Sequence, residues 1–408
     1  MIKRKNYIDK IKAYIDKPII KVITGMRRTG KSYFLQQIIN ELKTQKIKTK
    51  DIIYIDKESA EFDFLEDYRD LNQYLKEKLV SKNKKYLFID EVQEITAWEK
   101  SLRSILKNNQ ADIYITGSNA YLLSSELSTL IAGRFIEFKI YPLSFKEFLE
   151  FRKDKINFES TDQEFEKYIR FGSLPGIHCA ELEEDISKPL SKAIFDSIIL
   201  NDIVARHSIR NYSNFERILR FILDNIASTF SAKSISDYLK SQKITVSIET
   251  VQNYIKFLEA AYAIYKVNRY DIQGKRHLEI SEKYFCSELS FRHNLLGYKS
   301  TDINDYLENL VYLELRRNDY EVSIGKLGDL EIDFIAEKEG QKIYIQVTYL
   351  MHDQKVEERE YKPLLKVKDN YPKVILSMDK LPVNGKEGIK TKNIIDFLLK
   401  PDIVLAKL

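Results

Sequence analysis

Gly25-Met26-Arg27-Arg28-Thr29-Gly30-Lys31-Ser32 fits the pattern G-x-x-x-x-G-K-[ST] without a mismatch. Glycines let such a loop fold tightly, so that its backbone N–H groups ring a triphosphate. The loop opens a helical run, whose N-terminal dipole favours negative charge. The residue types predict that Lys31 pairs with the β- and γ-phosphates of that triphosphate and that the Ser32 hydroxyl ligates Mg²⁺. Gly25, Arg27, Arg28, Thr29, Gly30 and Tyr33 complete the expected nucleotide contacts. Downstream, Tyr86-Leu87-Phe88-Ile89 ends in Asp90-Glu91. A buried strand there puts both acids at its carboxyl end, where open α/β sheets bind ligands. Asp90 is then the second holder of Mg²⁺, through water, and Glu91 orients the attacking water. Thr116-Gly117-Ser118-Asn119 is a polar strand tip; Ser118 is the first candidate to sense the γ-phosphate and Asn119 the second. Arg134 is a candidate arginine finger, in cis or from a neighbouring subunit; the alternative is a surface arginine at a strand start.

These residues need a sheet to position them. Five β-rich runs occur in the first ~140 residues, at βαβ spacing: 19–24, 52–55, 86–90, 112–116 and 135–140. Most are continuous apolar runs, which suits strands buried on both faces of a parallel sheet. After the loop, Phe34, Leu35, Ile38, Ile39 and Leu42 mark one apolar helical stripe.

The order of loop, intervening strand, Asp-Glu strand and polar sensor strand resembles the AAA+ ATPases. More narrowly, the Arg27-Arg28 pair inside the loop resembles a prokaryotic AAA group. Asp90-Glu91-Val92-Gln93 with Trp98, Thr116 to Asn119, Ala132-Gly133-Arg134 and Tyr141-Pro142-Leu143-Ser144-Phe145 are similar to the same group. The resemblance implies ATP binding and hydrolysis, and a C-terminal domain of uncharacterised function. It runs over nearly the whole chain, motif by motif in the first domain and more loosely afterwards.

From Phe145 to about Arg210 the pattern is helical, interrupted by Phe171-Gly172-Ser173-Leu174-Pro175-Gly176, a helix–helix connection that resembles the group's Gly-rich turn. Residues 215–230, 234–241 and 247–262 read as three helices, with short strands near 263–267 and 277–280 around Gly274. That is a winged-helix outline. Residues 231–280 hold eight Lys/Arg against five Asp/Glu, a local excess of three. Ser247, Thr250, Asn253 and Lys256 are placed to meet a DNA major groove, and Lys275 and Arg276 to reach phosphates. Glu249 opposes this, and a protein-docking or lid role is the alternative.

In the last third, 306–317 is helical and 321–325, 330–336 and 342–348 are strand-like. Glu331 and Asp333, two apart, share a strand face. Gln346 and Thr348 share one in the next strand, and Glu308 on the helix is placed to join them. The outline resembles the PD-(D/E)XK restriction-endonuclease-like fold, where such acids and a lysine bind Mg²⁺ and activate water. Asp333 matches the strand Asp, but Gln346 stands for the second carboxylate and Thr348 for the lysine. The resemblance therefore implies a degenerate domain, a binder before a nuclease; the alternative is an ordinary αβ sheet whose acids are surface residues.

The expected class is α/β: an AAA-like parallel-sheet ATPase core over 1–144, a helical and winged-helix region over 145–285, and a nuclease-like αβ domain over 286–408. The expected function is an ATP- and Mg²⁺-dependent switch on a macromolecule, double-stranded DNA first. Two alternatives stand beside it: an ATP-gated nuclease, and a signalling ATPase with a protein partner and no nucleic acid. The composition is globular, at 44% hydrophobic and 31% charged residues, with a formal charge of only +5, so any basic surface is local. Two cysteines about a hundred residues apart exclude a disulfide scaffold. No apolar run approaches the ~20 residues of a membrane span, and no secretory signal is expected. The expected compartment is the cytoplasm. Oligomeric state stays open, with Arg134 a candidate in trans.

Overall fold

The computed structural model describes residues 2–80, 83–120, 133–153, 158–179, 182–351, 353–380 and 385–406. The chain divides into two compact units. The first takes Met1–Pro142 with Ala260–Tyr262; the second takes Leu143–Glu259 and Ala263–Leu408.

The first unit holds α1 (Lys5–Lys12), β1 (Ile20–Thr24), α2 (Lys31–Thr44), β2 (Ile52–Asp56), α3 (Tyr68–Lys78), β3 (Lys85–Asp90), α4 (Trp98–Lys107), β4 (Ala111–Gly117) and β5 (Phe135–Lys139). Its five strands form one sheet in the order β2-β3-β4-β1-β5. Every pairing is parallel. All five strands expected from the apolar runs are present. The inner strands β1, β3 and β4 are buried along their whole length, while β2 and β5 at the edges are partly exposed. One face is covered by α3 and α4 through Leu71, Leu75 and Leu102. The other is covered by α1 and α2, and the expected stripe of Phe34, Leu35, Ile38, Ile39 and Leu42 is buried there.

The second unit begins with α5 (Phe145–Arg152), α6 (Thr161–Phe171) and α7 (Glu184–Ser197), which runs on as a π-helical stretch over Ile198–Ala205. Next come α8 (Tyr212–Asp224), β6 (Thr229–Phe230), α9 (Ala232–Ser241), α10 (Ile248–Ala260), β7 (Ile264–Asp271) and β8 (Arg276–Cys286). The helix expected to reach residue 230 ends at Asp224. Thr229 and Phe230 instead pair with Lys283 and Glu282 of β8. The last stretch holds α11 (Leu289–Leu296), α12 (Ile303–Arg317), β9 (Glu321–Leu327), β10 (Leu330–Lys338), β11 (Gln341–Val347), α13 (Gln354–Lys366), β12 (Lys373–Ser377), β13 (Lys390–Asn393), α14 (Ile394–Leu399) and α15 (Pro401–Ala406).

Eight strands of this unit make one sheet, in the order β13-β12-β11-β10-β9-β7-β8-β6. β9, β10 and β11 are antiparallel neighbours, and β12 joins β11 in parallel after the α13 crossover. The division drawn at residue 285/286 falls inside β8. Arg269 to Asp271 of β7 pair in parallel with Ile324 to Lys326 of β9, so the middle and C-terminal segments share one sheet and one unit. The physical reason is the edge of β7: its unpaired backbone groups need a partner, and β9 supplies it.

The turn after α6 is held by a buried carboxylate. Glu288 accepts hydrogen bonds from the Ser173 amide (2.9 Å), the Ser173 hydroxyl (2.6 Å) and the Ser290 amide (3.0 Å). Gly172 has φ +84°, and a Cβ there would lie 1.8 Å from Glu288 Oε1. At Gly297 φ is also positive, at +77°, but a Cβ would meet nothing within 4 Å. Gly172→Ala is therefore expected to lose about 2 kcal/mol or more in chemical denaturation, and Gly297→Ala only about 1 kcal/mol. Equal losses would show that backbone conformation, not the Glu288 clamp, constrains the turn.

Candidate functional site

The loop over 25–30 joins the carboxyl end of β1 to α2. Gly25 has φ +141°, and a Cβ would stand 2.3 Å from the Ile140 carbonyl oxygen, so only glycine fits. Arg28 (φ +67°) and Gly30 (φ +95°) are also left-handed. Gly30 caps α2 without a side-chain hydrogen bond, which leaves the first-turn amides to serve an anion. Thr29 Oγ1 donates to the Met26 carbonyl at 2.8 Å. Lys31 is buried, with Nζ 3.3 Å from the Met26 carbonyl and 3.5 Å from Glu91 Oε1. Arg27 is half-buried, whereas Arg28 and Tyr33 point into solvent.

Asp90 ends β3 and is buried. It accepts hydrogen bonds from Thr116 Oγ1 and from the Tyr54 hydroxyl at 3.1 Å. Burial pushes its pKa up; Thr116 and Ser32 hydrogen bonds oppose this, the Glu91 charge adds to it, and the net direction is upward. The Ser32 contact brings together the two residues expected to hold Mg²⁺. Glu91 follows with φ +52°. That turn brings its carboxylate beside Lys31 and within 2.5 Å of Gln93 Nε2. Burial works against the Glu91 charge, but Lys31, Gln93, Ser118 and Arg27 outweigh it and hold the pKa below the ordinary value. Adjacent carboxyl groups are thus pushed in opposite directions. Ser118 and Asn119 are buried at the tip of β4, with Ser118 beside Glu91.

Arg134 is not brought to this point. It precedes β5, which runs parallel to β1, and its carbonyl accepts from Ile20 N at the start of β1. The loop leaves the other end of that strand, roughly 13 Å away at ~3.3 Å per residue. The exposed Arg134 therefore lies at the opposite end of β1 from its own chain's loop, as a surface arginine at a strand start would. Conversely, Thr116 has a role the sequence reading did not assign. Its hydroxyl donates to Asp90 and accepts from the Glu91 amide at 2.8 Å. Only the pairing of β4 beside β3 gives Thr116 that place.

In the second unit, Glu308 on α12, Glu331 and Asp333 on β10 and Gln346 on β11 line one cavity of about 670 Å³. Glu331 and Asp333, expected on one strand face, line it together with Gln346, whereas Thr348 does not line it. Gln346 Oε1 accepts from Asp333 N at 3.3 Å, and Asp333 Oδ2 accepts from Val347 N at 2.8 Å. Thr348 is buried. The cation comes from a place no motif marks: Lys283 of β8 lies 2.5 Å from Glu308 and 3.0 Å from Glu331. Burial pulls the Lys283 pKa down, but Glu308, Asp333 and Glu331 push it up further. Burial raises Glu308 well above the ordinary value, and raises Asp333 to about 7.

This donor set does not fit Mg²⁺. Gln346 is neutral, the Lys283 ammonium already bridges two of the acids, and among the described residues no three or more His, Cys, Asp or Glu side chains are arranged to hold a metal. On α10, Asn253 and Lys256 are exposed, as is Ser247 just before it, while Thr250 is half-buried and bonded through its amide to Ser247 Oγ at 3.1 Å. Glu249, Lys275 and Arg276 are also exposed. Among the described residues, no helix is long and apolar enough to cross a membrane.

A five-stranded parallel sheet, with this loop at its carboxyl edge, is the architecture of the AAA-type P-loop ATPases. Residues 17–149 match the AAA domain family (AAA_14), and residues 162–302 match a domain of unknown function (DUF8612). The chain belongs to the family of an uncharacterised protein of Haemophilus influenzae, 37% identical over 401 residues that cover 98% of this chain and 99% of the relative. An uncharacterised protein of Methanocaldococcus jannaschii is 36% identical over 359 residues, covering 84% of this chain and 77% of its own. Among solved structures, the Walker-type ATPase of Pyrococcus abyssi aligns with TM-score 0.53 at 15% identity, over 72% of this chain and 96% of that one, a likeness of fold.

Two outcomes are expected at the second cluster. Lys283→Met leaves buried acids without their cation and should cost about 3 kcal/mol or more in denaturant unfolding. Asp333 has a folded pKa of about 7 against an unfolded value near 3.8, so its folded form takes up a proton as pH falls. That contribution favours folding at low pH and is lost as pH rises through about 7. The melting temperature of Asp333→Asn relative to wild type should therefore climb up to that pH and level off above it. A difference that does not vary with pH would contradict the assignment.

Proposed function

We propose that this protein is an ATP-hydrolysing switch: Mg²⁺–ATP binds the loop of the first unit, and turnover changes how the second unit meets a macromolecular partner, duplex DNA first. The observation that carries the reading is the convergence of Lys31, Ser32, Asp90, Glu91 and Ser118 at one edge of the sheet. Lys31 pairs with phosphate, exchanging its Glu91 contact for a stronger negative charge. Ser32 and Asp90, already in contact, hold the ion. When bound there, Mg²⁺ would supply neutralisation of the phosphate charge. Glu91, kept ionised by its surroundings, orients the attacking water, and Ser118 reads the γ-phosphate.

The DNA partner rests on the middle segment. The order α8-β6-α9-α10-β7-β8, with β8 between β6 and β7, supports a winged-helix reading. Exposed Ser247, Asn253 and Lys256 are placed to reach a groove, and Lys275 and Arg276 a backbone. A nuclease-like reading of the last segment finds support in its helix, three antiparallel strands, helix and parallel strand. Since its cluster does not suit Mg²⁺, we read it as a domain that binds without cutting.

Steady-state hydrolysis by wild type and variants tests the switch. Lys31→Ala should weaken ATP binding by tenfold or more, on the order of the 1.4 kcal/mol or above that a charge-assisted contact supplies. Glu91→Gln should keep ATP binding and lose turnover by ~10²-fold; unchanged hydrolysis would remove Glu91 from the mechanism. Duplex DNA should stimulate wild type, with an effect that weakens steeply as salt rises. Turnover indifferent to DNA at every salt concentration would point to a protein partner.

A further inference from the structure

We propose that Arg4 is a positioning residue that ties the phosphate-binding loop to the segment by which the chain leaves the first unit. The proposal rests on reading that loop as the ATP site.

Arg4 immediately precedes α1 and is only 5% exposed. Its guanidinium donates from Nη1 to the Thr29 carbonyl at 3.2 Å, and from Nη2 to the Tyr141 carbonyl at 2.9 Å and the Pro142 carbonyl at 3.3 Å. The same group stacks 4.7 Å above the Tyr7 ring. Tyr7 in turn accepts from the Tyr141 amide at 3.2 Å through its hydroxyl oxygen. Arg4 and Tyr7, at the start of α1, thus hold both backbone groups of Tyr141. Its start is tied to α2, because Arg4 N donates to Gln37 Oε1 at 2.9 Å and Gln37 Nε2 donates to the Ile2 carbonyl at 2.7 Å.

The Thr29 contact bears on the chemistry. The 29–30 peptide is trans. In a planar trans peptide, C=O and N–H point to opposite sides. Holding the Thr29 carbonyl on Arg4 therefore aims the Gly30 amide away from Arg4, to the side where the loop offers donors to phosphate. Arg4 sets one donor of the cradle without touching the nucleotide. Because the same planar fork holds Tyr141 and Pro142, the last two residues of the unit's first segment, a loop that shifts on taking up ATP must shift against them. A lysine could not reproduce this, since its ammonium is a compact point charge and not a fork.

The test uses the full chain with Arg4→Lys, Arg4→Ala and Tyr7→Phe. Amide hydrogen exchange without nucleotide reads the tie by itself. Arg4→Lys should raise exchange in peptides covering both 25–31 and 138–146, and Tyr7→Phe only in the second. Binding of a fluorescent ATP analogue and steady-state kinetics read the consequence. Arg4→Lys should weaken ATP binding and raise KM about tenfold, with kcat held within about twofold, as expected for lost loop positioning. Exchange over 25–31 unchanged in Arg4→Lys, or ATP affinity equal to wild type with a loosened loop, would overturn the proposal. Should Arg4→Ala not fold, the other two variants decide. Wild type that binds no ATP would overturn the nucleotide reading, while the nucleotide-free exchange still judges the tie.

Discussion

Parallel pairing of β1, β3 and β4 carries the ends of three strands to the same height. Ile23 lies beside Thr116, and Ile89 beside Ile115. The residues that end or follow those strands, Gly25, Asp90-Glu91 and Ser118, must then emerge together along one edge. A slip of a single residue in β3 would carry Asp90 and Glu91 away from Thr116 and the site would dissolve. Full burial of the three inner strands holds the register, because any shift would expose apolar side chains on both faces at once.

Within that edge, electrostatics divides the work between two adjacent acids. Asp90 is buried among hydroxyls, and its charge is opposed by desolvation. Glu91 turns through a left-handed residue toward Lys31 and stays ionised. Thr116 separates them by serving the side chain of one and the backbone of the other. Two neighbouring carboxyl groups are thereby pushed in opposite directions, the arrangement by which one site can give two acids different tasks.

The second unit solves a different problem with the same physics. Its β7–β8 hairpin is absorbed into the sheet through β9, and β8 thereby delivers Lys283 to acids on α12 and β10. Glu308 is buried, and burying its charge without a cation would be costly. Lys283 supplies that cation from within the chain, which links the middle segment to the last one energetically as well as through backbone hydrogen bonds.

The sequence by itself determined the octet from Gly25 to Ser32, the five strands of the first sheet, and the Asp90-Glu91 and Thr116-Asn119 tips. Each is a local pattern: a loop whose glycines are needed where they stand, or an apolar run long enough to be a buried strand. It also placed Glu331 and Asp333 on one face, since alternation along a strand is local too. Tertiary structure decided the rest. It put Arg134 at the far end of β1, brought Thr116 between two acids, ended α8 at Asp224 so that Phe230 could pair with β8, and joined the two sides of residue 285 in one sheet. It also supplied from β8 the positive charge that Thr348 lacks. All of these depend on which strands become neighbours across long stretches of chain, and neither spacing nor periodicity records that choice.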